Sequence, residues 1–136
     1  MSIQPEIVRV ARDARGLVFE PLDAAGLAGQ RNVHVVLTRP GDVRGNHHHR
    51  LATEIFALAG PALVRLRVGT DVQDHAVPEG QVWRFTIPPG VAHAIRHDGT
   101  TPGTLVSFSS HPHDPQNPDT YRDVLLDSVP PPASQR

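Results

Sequence analysis

A proline or glycine interrupts this chain roughly every eight to twelve residues, with 14 prolines and 11 glycines among 136 residues. Short β-rich runs lie between them, and several of these runs alternate apolar and polar side chains. Such alternation is typical of a strand with one buried face. Regular short strands separated by turns predict an all-β sandwich, jelly roll or barrel. The predicted strands are Gly16–Glu20, Asn32–Thr38, Glu54–Leu58, Ala62–Val68, Val82–Ile87, Ala92–Arg96 and Thr104–Ser109.

One helix and one tail complete the predicted secondary structure. The segment Thr120–Leu126 is long enough for about two helical turns with Asp119 as the N-cap, so we predict a short C-terminal helix there. Residues 129–136 are rich in proline and are predicted to form a flexible tail. No internal repeat or compositional boundary divides the rest, so residues 1–128 are predicted to form one domain.

The composition limits the chemistry that the chain can perform. It contains neither cysteine nor lysine, so thiolate nucleophiles, thiolate metal sites and a lysine Schiff base are excluded. Nine histidines and the carboxylates must therefore supply any acid–base or metal-binding groups.

The charge and the hydropathy limit the partners. A net charge of -1 gives no basic surface for nucleic acid or an anionic membrane. The apolar runs are too short to span a membrane, and no signal segment opens the chain. We therefore expect a cytoplasmic protein with neither nucleic acid nor a membrane as its partner.

The segment around His47 carries the pattern of a metal site. Residues two apart share a face of an extended strand, so His47 and His49 should point together while His48 points away. Glu54 follows across a short turn, and a Pro-Pro-Gly turn precedes His93. Imidazoles and one carboxylate suit a single divalent transition metal. We expect zinc, with iron, manganese or nickel as alternatives. A surface histidine cluster and an ordinary loop histidine are the competing interpretations.

The same residues resemble the two metal-binding motifs of the cupin superfamily. The order of the first motif is matched by Gly41, His47, His49, Glu54 and Gly60, and that of the second by Pro88, Gly90 and His93. The spacing from Glu54 to Gly60 is one residue shorter than is usual, the spacing from Gly80 to Pro88 is two longer, and His97 replaces the final asparagine. The resemblance implies a jelly-roll barrel with the metal inside one end.

A closer similarity covers roughly residues 30–125, most of the chain. The series Arg44–Arg50, Thr53–Phe56, Ala62–Arg67, Ile87–His93 and Asp114–Tyr121 resembles the C-terminal cupin domain of bifunctional capsular-polysaccharide enzymes. That resemblance implies metal-dependent epimerisation of a 4-keto-6-deoxy nucleotide sugar. The element Arg44-Gly-Asn-His-His-His49 is also similar to the deoxysugar 3,4-ketoisomerases, in which a histidine of this motif is a base without metal. A histidine that coordinates a cation has no free lone pair, so the metal interpretation requires a different base.

Other polar residues are candidates for catalysis and substrate binding. His34, His97, His111 and His113 could be the general base and Tyr121 an acid, while Arg44 could bind a diphosphate. The alternative for His34 is an outer sheet face. The alternative for His111 and His113 is a structural loop, and the alternative for Tyr121 is a packing residue.

Three functions remain compatible with the sequence. The first is a metal-dependent nucleotide-sugar epimerase or ketoisomerase in polysaccharide or deoxysugar biosynthesis. The second is a different metal cupin, such as an Fe(II) dioxygenase or a lyase that acts on a small acid, and the third is a non-catalytic metabolite-binding cupin. In each case exposed sheet edges favour a homodimer.

Overall fold

A computed structural model describes residues 2–130, which form twelve strands and one short helix. The helix, α1, spans Ala24–Ala28 and begins after Asp23, whose carboxylate caps it. None of the described residues belongs to a helix long and apolar enough to cross a membrane. The strands are β1 (Glu6–Val8), β2 (Val10–Asp13), β3 (Gly16–Phe19), β4 (Asn32–Thr38), β5 (Val43–His48), β6 (Glu54–Ala59), β7 (Ala62–Val68), β8 (Asp71–Val77), β9 (Val82–Ile87), β10 (Ala92–His97), β11 (Gly103–Ser109) and β12 (Tyr121–Arg122).

Two five-stranded antiparallel sheets form a jelly roll. Sheet 1 has the order β1-β9-β6-β11-β4, sheet 2 has the order β12-β5-β10-β7-β8, and β2 and β3 form a separate hairpin. The main core lies between the sheets, where sheet 1 contributes Phe56 and Phe85 and sheet 2 contributes Val64 and Leu66. All four side chains are fully buried, as the alternating pattern of their strands requires.

The structure confirms the all-β jelly roll and the seven predicted strands, each within one residue at either end. The predicted strands did not include β1, β2, β5 or β8, although His47 and His49 were assigned to an extended strand, and α1 was not predicted. Strand β8 contains Gln73, Asp74 and His75 in succession, so its apolar alternation is weak, and it is defined by its pairing with β7 at the edge of sheet 2.

The predicted helix at Thr120–Leu126 is wrong. Tyr121 and Arg122 instead pair with His48 and His47 and add β12 to the edge of sheet 2. Asp119, the predicted N-cap, accepts hydrogen bonds from the loop that follows His49. A helix of two turns makes few internal hydrogen bonds and is marginal by itself. The strand instead gives the backbone groups of this segment and of the loop after β5 partners in each other.

Most of the predicted tail at 129–136 lies outside the described residues. Its first residue, Val129, donates its backbone N–H to the carbonyl of Gly41 at 2.9 Å.

A bulge in β5 fixes this terminal segment to the barrel. Gly45 pairs with Ala94 and His47 pairs with His93, so Asn46 between them is an extra residue. Asn46 has a φ of 57°, and its side-chain oxygen accepts the N–H groups of Leu125 and Leu126 while its amide donates to the carbonyl of Leu126. Asparagine suits this position because it tolerates the left-handed conformation and carries both a donor and an acceptor.

We expect Asn46→Ala to lower the free energy of unfolding by about 2 kcal/mol, because alanine loses the three side-chain hydrogen bonds and is strained at a positive φ. Asn46→Gly removes the same hydrogen bonds without that strain, so its loss should be smaller. Urea unfolding of both variants measures the difference. Equal stability of Asn46→Ala and the wild-type protein would contradict this account of the bulge.

Candidate metal centre

Four side chains from both sheets converge at one end of the barrel. His47 and His93 come from paired positions on β5 and β10, His49 follows β5, and Glu54 begins β6. One ligand atom from each residue lies within 4.8 Å of the others. Glu54 faces inward because it shares the parity of Phe56 and Leu58, which are both core residues. The barrel therefore brings three imidazoles to one carboxylate between its two sheets.

The Glu54 carboxylate contacts two imidazoles of this cluster and one neighbouring hydroxyl. Its Oε1 lies 2.9 Å from Nε2 of His49 and 2.9 Å from Nε2 of His93, and its Oε2 accepts a hydrogen bond of 2.7 Å from the Ser107 hydroxyl. Burial alone raises the pKa of Glu54, but the neighbouring imidazoles of His49 and His93 and the hydrogen bond from Ser107 outweigh burial and hold the pKa well below its usual range. The carboxylate is therefore ionised at neutral pH.

Backbone carbonyls fix the orientation of two imidazoles. Nδ1 of His49 donates to the carbonyl of Asp119 at 2.6 Å, and Nδ1 of His93 donates to the carbonyl of Val91 at 3.0 Å. Each bond places a proton on Nδ1, so Nε2 is the ring nitrogen that is directed at Glu54 and is available to a cation. Metal-ligating histidines in proteins commonly carry such a hydrogen bond on the nitrogen remote from the cation.

The donor set fits a divalent cation. Nε2 of His93, a residue only 1% exposed, has no partner with hydrogen-bond geometry despite its short distance to Glu54. A cation among the four side chains would satisfy this lone pair. Burial, followed by the neighbouring His93 and His49, lowers the pKa of His47 to about 4. His47 is therefore neutral at pH 7, which is the form that binds metal.

His48 points away from the cluster, as the strand parity predicted. Its ring stacks on Tyr121 with centroids 5.5 Å apart, and its Nδ1 lies 3.5 Å from the Asp123 carboxylate. Arg50 lies over the Tyr121 ring, with its guanidinium carbon 3.9 Å from the ring centroid.

A cavity of about 420 Å³ opens onto the metal-ligand cluster. Its volume lies within the range of roughly 300–1,000 Å³ that is typical of small-molecule sites. Its wall combines sheet 1, the cluster and the segment after β11. The lining residues are Asn32, His34, His47, His49, Leu51, Ala52, Glu54, Ser107, Ser109, His111, Pro112, His113, Asp114, Asn117, Asp119 and Thr120.

The structure places His34 in this cavity. His34 is directly opposite Ser107 in the ladder between β4 and β11, so the two side chains share the inner face of sheet 1. Its Nδ1 lies 3.5 Å from the side-chain amide of Asn32. His111 and His113 line the same cavity from the loop after β11. Three histidines outside the ligand cluster therefore face one cavity.

Three other predicted site residues lie elsewhere. His97 is buried, its Nε2 lies 2.6 Å from the carbonyl of Thr101, and it is not part of the cavity wall. Tyr121 stacks on His48, outside the cavity. Arg44 donates to the carbonyl of Leu37 and the hydroxyl of Thr38 on β4. Arg44 therefore links the two sheets at their open side and, like the other two, does not contact the described cavity.

Two residues of the site were missed in the sequence. Ser107 interrupts the inner face of β11 two residues after the core residue Leu105, and a polar residue at a buried position was an available signal. Asp119 was interpreted as a helix cap. No local pattern indicated its contacts with His49 and the loop 50–52, because they join residues that are about 70 positions apart.

Comparison with known proteins identifies the relatives of this architecture. The family model described as "Polysaccharide biosynthesis C-terminal domain" matches residues 11–121. No curated protein matches the sequence. The capsular polysaccharide assembling protein CapF of Staphylococcus aureus is 25% identical over 87% of this chain, with a TM-score of 0.65. The match covers 34% of the CapF chain, so this chain spans about a third of that protein's length.

More distant structures share the fold. A dTDP sugar isomerase of Desulfovibrio desulfuricans matches 98% of this chain and 87% of its own with a TM-score of 0.69 and 18% identity. The 3,4-ketoisomerase QdtA of Thermoanaerobacterium thermosaccharolyticum, in complex with TDP-4-keto-6-deoxyglucose, matches 89% of this chain and 87% of its own with a TM-score of 0.63 and 18% identity. These likenesses agree with the cupin resemblance of the sequence motifs.

We expect Ser107→Ala to weaken metal binding about tenfold, because the hydroxyl that orients Glu54 is lost while the four candidate ligands remain. Ser109→Ala is the matched control, since Ser109 lines the same cavity from the same strand and donates to no ligand. Competition with a chromophoric chelator measures both affinities in untagged protein. Equal affinities of the two variants would contradict the role of Ser107.

Proposed function

Because the chain belongs to the family of polysaccharide biosynthesis C-terminal domains, we propose that it is a metal-dependent epimerase or ketoisomerase of a 4-keto-6-deoxy nucleotide sugar. The observation that carries the proposal is the placement of a histidine that is not a ligand, His34, in the same cavity as the four-residue cluster. The enolate chemistry of such a sugar requires both a base and a positive charge near the ketone.

The relatives support the substrate class. QdtA is a 3,4-ketoisomerase whose structure holds TDP-4-keto-6-deoxyglucose, and CapF assembles capsular polysaccharide. Both contain the jelly roll that this chain adopts. We propose that the substrate here is a nucleotide-linked keto sugar of the same kind, with the sugar in the cavity.

His47, His49, Glu54 and His93 would hold one divalent cation, for which zinc is our first choice. A bound cation would polarise the ketone oxygen and stabilise the negative charge that forms when a neighbouring carbon loses its proton. The four side chains would position the cation and keep bulk water from the side of the cavity where the ketone lies. Because the imidazole lone pairs of the cluster are then used for binding, proton transfer falls to another residue.

His34 is the residue that we propose as the general base. Its imidazole would take the proton from the carbon beside the ketone and leave an enolate. In an epimerisation, a second group on the opposite face returns a proton to that carbon. In a ketoisomerisation, the hydroxyl on that carbon passes its proton to the former ketone oxygen, and a proton is returned to the former carbonyl carbon, which leaves the ketone on the neighbouring carbon. His34 contacts the Asn32 amide, lies opposite Ser107 and lines the same cavity as the cluster without belonging to it.

The sugar hydroxyls have polar groups available around the same cavity. Asn32, Asn117 and Thr120 line it and can both donate and accept hydrogen bonds. Arg44 donates to Leu37 and Thr38 in the described structure, and its binding of a diphosphate stays a prediction.

Deuterium incorporation from solvent tests the proposed reaction. Incubation of the wild-type protein with TDP-4-keto-6-deoxyglucose in D₂O should place deuterium on a carbon beside the ketone, detectable by NMR. His34→Gln should lower this exchange about a hundredfold or more, since glutamine cannot take the proton. His111→Gln is the matched control from the same cavity and should retain most of the exchange.

Two results would overturn the assignment. Loss of exchange in His111→Gln but not in His34→Gln would transfer the role of base to the loop after β11. No exchange with any 4-keto-6-deoxy nucleotide sugar, combined with oxygen consumption on small acids, would favour the dioxygenase that the ligand set also permits.

Glu54→Gln tests the metal separately. Glutamine keeps the shape of the side chain but removes the negative charge that two imidazoles face, so metal content should fall well below one equivalent. Elemental analysis of untagged protein, after loading with zinc and dialysis, measures the change. Retention of one equivalent by Glu54→Gln would return His47 to candidacy as a base.

The homodimer and the cytoplasmic location stay predictions. Light scattering of the purified protein measures the first, and fractionation of the source cell measures the second.

A further inference from the structure

We infer that Asp119 is a positioning residue that sets the spacing between His49 and Glu54. The inference rests on the proposed function, because it gives these two residues the role of metal ligands. Asp119 belongs to neither ligand motif and lies on the segment that leads into β12. It acts through contacts of two different kinds, one by its side chain and one by its backbone.

The side chain of Asp119 fixes the loop between the two ligands. Its Oδ1 accepts the backbone N–H of Arg50 at 2.8 Å, and its Oδ2 accepts those of Leu51 and Ala52, each at 2.9 Å. These three residues lie in the link of four that joins His49 to Glu54. A single carboxylate thus provides partners for three successive amides of this link and determines its path.

The backbone of Asp119 fixes the His49 ring. Its carbonyl accepts the Nδ1 proton of His49 at 2.6 Å, which turns Nε2 toward Glu54 Oε1 at 2.9 Å. The Asp119 carboxylate therefore fixes Asp119 against the loop 50–52. Because Asp119 is fixed, its carbonyl stays in contact with the His49 ring. Loss of the side chain should loosen both contacts together.

Asparagine cannot reproduce this arrangement. Both carboxylate oxygens of Asp119 are acceptors that face N–H groups, whereas an asparagine presents one oxygen and one NH₂ group. Whichever way the amide is turned, at least one backbone N–H would face another donor. Asp119→Asn is therefore a nearly isosteric variant that should disturb the link without leaving a large void.

Asp114→Asn is the matched control. Asp114 is a carboxylate on the wall of the same cavity and in the same segment, but among residues 2–130 its side chain accepts only the local N–H of Gln116. The two variants remove the same charge from the same cavity. They differ in whether the carboxylate supports the link between the ligands.

The experiment combines a spectrum of the metal-free protein with a Co²⁺ titration. In the metal-free wild-type protein, at a pH at which His49 is neutral, long-range ¹H–¹⁵N correlation should show its proton on Nδ1, and Asp119→Asn should mix the two tautomers. In the titration, Asp119→Asn should bind Co²⁺ at least tenfold more weakly and shift the visible absorption bands that report ligand geometry. Asp114→Asn should match the wild type in both measurements.

Each outcome is decisive. An unchanged His49 tautomer together with an unchanged Co²⁺ spectrum in Asp119→Asn overturns the positioning role, as does an equal loss in Asp114→Asn. If the wild-type protein binds no Co²⁺, the proposed metal function fails, while the tautomer of His49 still tests the contact itself. If Asp119→Asn is unfolded by circular dichroism, Asp119→Glu provides the second test, because it keeps both acceptors and should bind Co²⁺ more tightly than Asp119→Ala.

Discussion

The buried carboxylate of Glu54 is the interaction on which the rest of this site depends. It begins a strand of sheet 1, yet its Oε1 lies 2.9 Å from imidazole nitrogens of both His49 and His93 on the side of sheet 2. An ionised carboxylate costs several kcal/mol to bury unless it is fully partnered. The second oxygen receives the Ser107 hydroxyl, so every part of the group is engaged. These contacts join residues of the two sheets at the candidate metal centre.

The hydrogen bonds and strand pairing around the cluster differ from one imidazole to the next, so the three imidazoles are not interchangeable. His49 and His93 are each fixed by a backbone carbonyl on Nδ1, whereas His47 is held by its pairing opposite His93. The bulge at Asn46 makes this pairing possible and also attaches the terminal segment that carries Asp119. The positions of the candidate ligands and the path of the C-terminal segment therefore depend on each other. A change in one should displace the other.

The division between cluster and cavity is what would suit the site to the proposed enolate chemistry. Four side chains concentrate lone pairs at one point, and a separate histidine, His34, faces the same space from the inner face of β4. A residue that coordinates a cation cannot also accept a proton on the same nitrogen. Placing the two functions on different strands resolves that conflict, because sheet 1 can present His34 without altering the ligands.

The sequence by itself determined seven of the twelve strands and the candidate ligands, since both follow from local patterns. Alternation fixed β4, β7 and β9 to the residue, and strand parity separated His47 and His49 from His48. Only the tertiary structure decided the rest. The segment Thr120–Leu126 has helical character alone but is drawn into pairing with β5, Ser107 and Asp119 act on ligands 53 and 70 residues away, and His34 faces inward because its partner Ser107 does. Their roles are set by hydrogen bonds between distant segments, which no local periodicity encodes.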